Sequence, residues 1–92
     1  MSPVYEGLLD GAAIEALVAD LEGHADVLDV FVKGGARTAT DAVDTPLRTA
    51  FAALRVGAAA VQVRYRFAGA EWRDTLLPTA AGVRLVRVQT PV

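Results

Sequence analysis

Apolar residues recur along the chain with two different periods, and the change from one to the other divides the sequence into elements. Over residues 10–23, Ile14, Leu17, Val18 and Leu21 stand at i, i+3, i+4 and i+7, with Glu15 and Glu22 on the other side. That spacing predicts an amphipathic helix. Asp10 is placed to cap its first turn, and Gly23 to close it in a left-handed conformation. Over residues 26–33 the period becomes two. Leu28, Val30 and Val32 alternate with Asp29, Phe31 and Lys33, the pattern of a strand with one buried face. Gly34 and Gly35 end it, and the polar run 36–44 reads as a loop.

The second helix has the clearest start signal. Asp44 or Thr45 caps it, and Pro46 takes the first helical position, where its missing N–H costs nothing. Leu47, Ala50, Phe51 and Leu54 form the apolar stripe, and Gly57 lies one place past the end. From residue 58 the period is two again: Val61, Val63, Tyr65 and Phe67 alternate with Gln62, Arg64 and Arg66. Gly69-Ala70 supplies a two-residue hairpin turn, followed by a strand over 71–77, a loop over 78–82 and a strand over 83–89. The ends, 1–7 and 90–92, are expected to be flexible.

The order α-β-α-β-β-β predicts one α+β domain over residues 1–92. The strand–helix–strand unit is long enough for a right-handed parallel crossover. The expected fold is therefore a four-stranded mixed sheet with both helices packed on one face and the other face open. Pairing the hairpin across Gly69-Ala70 sets Phe67 against Trp72 and Val63 against Leu76 on the helix side. It sets Arg66 opposite Arg73 on the open side, with Arg64 next along. A register shifted by one would pair Arg64 with Asp74 but turn Trp72 outward. Burial of two aromatics outweighs an exposed ion pair of about 0–1 kcal/mol, which favours the first register.

Composition limits what such a domain can hold. Apolar residues make up 53% of the 92, but many are alanine. The core must then rest on Ile14, Leu17, Leu21, Leu28, Val30, Val32, Phe51, Leu54, Val63, Phe67 and Trp72. These make one thin layer and leave no room for a large buried cofactor cavity. The chain has no cysteine, which excludes disulfides, thiolate nucleophiles and zinc–sulfur sites. Its longest apolar run, 56–61, is far short of the roughly 20 residues of a spanning helix. The first residues lack the basic and apolar regions of a signal peptide, so a cytoplasmic protein is expected.

Catalytic chemistry finds little material. His24 is the one histidine, and its place just past Gly23 suits a helix-end role better than a ligand set with Asp26 and Asp29. Serine occurs once, at Ser2, which removes a serine triad. Gly34 and Gly35 with Arg37, Thr38 and Thr40 lack the spacing of a phosphate loop and read as a turn. Asp26 with Asp29, and Glu71 with Asp74, diverge across a strand. Asp41 and Asp44 stand where acids cap the second helix. No catalytic residue, metal site or cofactor is predicted.

Charge layout carries more. Residues 1–46 hold nine acids and two bases, a net of −7; residues 47–92 hold two acids and seven arginines, a net of +5. Together they give the chain its −2. Arg64, Arg66, Arg73, Arg84 and Arg87 all fall in the three-strand meander. Three uses of that arginine face compete. It could be a solvated surface. It could be a protein interface, including self-association in which the acidic helix surface of a second copy (Glu15, Asp20, Glu22) meets it. It could bind nucleic acid, which the pI near 5.2 and the lack of interleaved exposed aromatics disfavour. The expectation is a non-enzymatic accessory or interaction protein that presents Arg64, Arg66, Arg73 and Arg87 to a protein partner or to its twin, without membrane attachment. The alternative is an enzyme or binding module for an anionic small molecule, with the same arginines as clamp and Tyr65 or Asp74 as polar helper.

Overall fold

In the computed structural model, which describes residues 4–34, 42–43 and 46–90, both helices lie on one face of an antiparallel sheet. The elements in chain order are β1 (Val4–Leu9), α1 (Gly11–His24), β2 (Asp26–Gly34), the two-residue β3 (Ala42–Val43), α2 (Leu47–Arg55), β4 (Ala59–Phe67), β5 (Ala70–Thr79) and β6 (Gly82–Thr90). Strand order is β1-β6-β5-β4-β2-β3, so five full strands are extended at one edge by β3. Every pairing is antiparallel. The expected four-stranded mixed sheet is therefore wrong in strand number and in direction, although the α+β character holds.

The missing strand is β1, which takes in residues 4–7 of the end expected to be flexible together with Leu8 and Leu9, and pairs with β6 from Val4↔Val88 to Leu9↔Val83. Its partner lies at the far end of the chain, and Gly7 interrupts a short run, so no local period announces it. The expected parallel crossover does not form: β4 starts beside the end of β2, at Gly34↔Ala59, and runs back along it to Arg66, opposite Asp26. Side-chain alternation is the same in either strand direction, so the period does not distinguish the two. The expected loop over 36–44 contains Ala42 and Val43, which pair with Val32 and Phe31; its remaining residues lie outside the described ones.

α1 begins as its sequence indicates, with the Asp10 side chain accepting from the Ala13 N–H at 2.8 Å. It ends differently. Gly23 stays inside the helix, which runs to His24, and Ala25 leaves it in an extended conformation that leads straight into β2. A left-handed residue would turn the chain away from the strand. α2 does close as expected. Gly57 has φ +76°, its N–H donates to the Leu54 carbonyl and that of Ala58 to the Ala53 carbonyl, both at 3.0 Å. This is a Schellman closure.

The helix side of the sheet is the core. Ile14, Val18 and Leu21 from α1 and Ala50, Phe51 and Leu54 from α2 bury against Val30, Val61, Val63, Leu76, Val83 and Leu85. An irregularity between Val27 and Asp29 turns Val27 to the helix side in place of the expected Leu28. Phe67, expected in the core, stands at the end of the hairpin and is 48% exposed. Across the top of the core, Arg48 grips Glu22 through Nε and Nη2, and Arg55 Nη1 lies 2.9 Å from Glu15. Among the described residues no helix is long and apolar enough to cross a membrane.

The two helix ends make opposite predictions. Gly57→Ala should lower stability by about 1 kcal/mol, because it forces a side chain into a left-handed φ. Gly23→Ala should raise it by about 0.5–1 kcal/mol, since the helix interior there has nothing within 4 Å of an added Cβ. Urea unfolding midpoints of the two variants check both signs.

Candidate functional site

The turn between β4 and β5 decides which arginines meet. Ala68 and Gly69 both have positive φ, 53° and 80°, so the turn is Ala68-Gly69 with glycine at the second central position. The expected Gly69-Ala70 turn is off by one residue and the register by two. A shift of two leaves every side chain on its expected face but changes its neighbours. Tyr65 now pairs with Trp72, Val61 with Leu76, Arg66 with Glu71, and Arg64 with Arg73.

On the face that no helix covers, Arg64 sits between two carboxylates. Its Nε and Nη2 donate to Asp29 Oδ2 at 3.0 and 2.7 Å, and its Nη1 donates to Glu71 Oε2 at 3.3 Å. These hydrogen bonds, Asp29's foremost, raise the guanidinium pKa further above its ordinary value. Arg73, directly across, is exposed and makes no ion pair among the described residues. Arg66 is also exposed and without an ion pair among them, although Glu71 and Asp26 flank it by register. Asp29, Phe31, Gln62, Arg64 and Arg73 line an open hollow of about 350 Å³. The Lys33 ammonium stands 5.7 Å from the centre of the Phe31 ring. Val86 and Val88 of β6 are half-buried on the same side, and Leu77 is exposed.

Arg87, expected with that cluster, belongs to the opposite face. It pairs with Asp74 across β5 and β6, on the side of Leu85 and Leu76. Its Nε and Nη2 donate to Asp74 Oδ1 and Oδ2 at 2.9 and 2.8 Å. The Tyr65 hydroxyl donates to the same carboxylate at 3.1 Å. Asp74 has no exposed surface and is the one buried charged residue among those described. Its desolvation is offset by a bidentate guanidinium and a phenol, and no buried polar side-chain atom among the described residues lacks a partner. Burial first, then the charge of Asp74, raises the Tyr65 pKa well above its ordinary value and keeps the phenol a donor. The hydrogen bond to Asp74 raises the pKa of Arg87 against the opposing effect of burial.

Arg87 and Tyr65 line a second hollow, of about 290 Å³, between the C-terminal half of α1 and the sheet. Leu17, Leu21, Ala25 and Phe67 give it apolar walls; Asp20, His24, Tyr65 and Arg87 give it polar ones. His24, expected beyond the helix, is in its last turn and exposed. A sequence signal for the buried pair did exist. Asp74 interrupts the inward series Trp72, Asp74, Leu76, and Arg87 interrupts Val83, Leu85, Arg87 on the next strand. Two opposite charges breaking the inward pattern on adjacent strands of a meander mark a cross-strand ion pair. Among the described residues no group of three His, Cys, Asp or Glu side chains is arranged to hold a metal ion. Comparison with protein-family models, curated proteins and solved structures returned no match.

Removing partners should separate the two faces. Arg87→Met strands the Asp74 carboxylate in the core and should cost about 3–5 kcal/mol. Asp74→Ala should cost less, because the Arg87 side chain is 31% exposed and can reach water. Arg64→Ala, on the exposed face, should cost no more than about 1 kcal/mol. Chemical denaturation of the three variants gives the ranking, and an Arg64 cost equal to that of Arg87 would contradict it.

Proposed function

We propose that the chain is a non-enzymatic interaction protein whose uncovered sheet face docks on a carboxylate-bearing surface of a different protein, with Arg73 and Arg66 reaching the partner. The observation that carries this reading is the facing pair Arg64 and Arg73. Like charges opposed across a sheet destabilise it by a few tenths of a kcal/mol or more. Asp29 and Glu71 answer Arg64 inside the chain, and nothing among the described residues answers Arg73. A partner carboxylate would relieve the repulsion, and arginine's planar fork suits it. Val86, Val88 and Leu77 beside the arginines supply the apolar area that such a contact needs.

A second copy is the weaker partner, because two of the helix acids that would meet the arginines are engaged. Glu22 is held by Arg48 and Glu15 by Arg55 within the chain. The anionic-ligand reading loses Arg87 to the other face, and Arg64 is occupied by two carboxylates. Net acidity continues to disfavour nucleic acid, although the Phe31 ring, 5.7 Å from the Lys33 ammonium, sets one aromatic among the bases of this face.

The test places a photo-crosslinking side chain at Val88, which is paired with Arg73 by register, in the native cell. A discrete adduct is expected at position 88 and not at the exposed Ala52 of α2. Arg73→Glu should abolish the adduct while leaving stability within about 0.5 kcal/mol, since position 73 is exposed and Arg64 already has two carboxylate partners. No adduct at 88, or one indifferent to Arg73→Glu, would sink the proposal. An adduct of twice the chain's mass would replace the heterologous partner with self-association.

A further inference from the structure

The Asp74–Arg87 pair is not explained by stability. A buried ion pair is typically no more stabilising than apolar residues of the same volume, and the rest of the inward face is built of such residues. Nor does the pair sit in the middle of the core, because Arg87 forms part of the wall of the hollow beneath α1. Asp74 holds it there in a fixed plane. With Nε and Nη2 both committed to the carboxylate, the guanidinium cannot rotate, and Nη1 is left with no partner among the described residues. Tyr65 fixes Asp74 in turn. The facing walls, Leu17, Leu21, Ala25 and Phe67, are apolar. Phe67 is an aromatic side chain left half outside the core where it borders this hollow.

We propose that this hollow is a binding site for a small carboxylate carried on an apolar body, with the free edge of Arg87 taking the carboxylate and Leu17, Leu21 and Phe67 enclosing the body. Asp74 is a positioning residue that orients the guanidinium from outside the wall, and Tyr65, whose hydroxyl is spent on Asp74, offers the ligand its ring. A volume of about 290 Å³ limits the ligand to a single ring or short chain. The site lies on the face opposite the arginines of the proposed docking surface, so the two readings stand or fall separately. Two sources share this chemistry, a simple aryl or alkyl acid and an apolar α-amino acid. Asp20, exposed in the wall, is the group that would receive the ammonium of the second.

The experiment is an amide chemical-shift titration of the full chain with phenylacetate, with its neutral isostere phenylacetamide, and with L-phenylalanine. Saturable shifts are expected at Leu21, His24, Phe67 and Arg87, with phenylacetamide weaker by roughly tenfold or more, because it loses a charge-assisted hydrogen bond. Leu17→Trp should fill the hollow and abolish the shifts. Phe67→Ala, at the exposed hairpin end where the fold is not at risk, should weaken binding roughly fivefold. Arg73→Glu should leave it unchanged. Tighter binding of phenylalanine than of phenylacetate would assign the amino acid, and weaker binding the simple acid. Equal binding of phenylacetate and phenylacetamide, shifts centred on Arg64 and Arg73, or no saturable shift would overturn the proposal.

Discussion

A sheet of five full strands has two faces, and helices of 14 and nine residues cover one of them. The rest of the molecule follows from that one-sided cover. Inward positions of β2, β4, β5 and β6 carry valine and leucine because they meet α1 and α2. Outward positions carry arginine, lysine, threonine and carboxylates because no helix covers them and they meet water. The ion pairs between α1 and α2 lie on the outer surface of the helix layer. The chain's electrostatic division is thereby partly resolved inside the fold, since Arg48 and Arg55 from the basic half answer Glu22 and Glu15 from the acidic half.

Two exceptions to this partition give the molecule its candidate chemistry. Asp74 and Arg87 are charged where the face should be apolar, and the bidentate contact between them makes the exception tolerable. Val86, Val88 and Leu77 are apolar where the face should be polar, Val88 directly opposite Arg73 and Leu77 opposite Arg84. Each exception lowers stability relative to a uniform pattern, or at best leaves it unchanged. Departures of that kind are where sequence and stability disagree, and they are natural places to look for binding.

Much of the local structure was legible in the residues. The stripes Ile14–Leu17–Val18–Leu21 and Leu47–Ala50–Phe51–Leu54 form helices, Asp10 caps the first, and Gly57 closes the second. The three C-terminal strands alternate as their period-two pattern requires. The candidate sites were legible only in part. Arg64, Arg66 and Arg73 share the open face as their spacing indicates, whereas Arg87 does not, because the inward parity of β6 through Val83 and Leu85 includes it. That parity was available in the sequence; the conclusion that a guanidinium could be held inside required knowing that Asp74 stands opposite.

What the sequence by itself determined is therefore the periodicity: which residues are helical, which are extended and which face each strand residue shares with its neighbours. Side-chain period depends on nearest neighbours along the chain, and those are written in order. Only the tertiary structure decided the partners. That β1 joins β6 across nearly the whole chain, that β4 runs antiparallel to β2, and that Arg64 rather than Arg66 meets Arg73 all depend on contacts between distant residues. A register shift of two leaves the period unchanged and alters every cross-strand pair. Nothing local distinguishes the alternatives, and long-range packing selects among them.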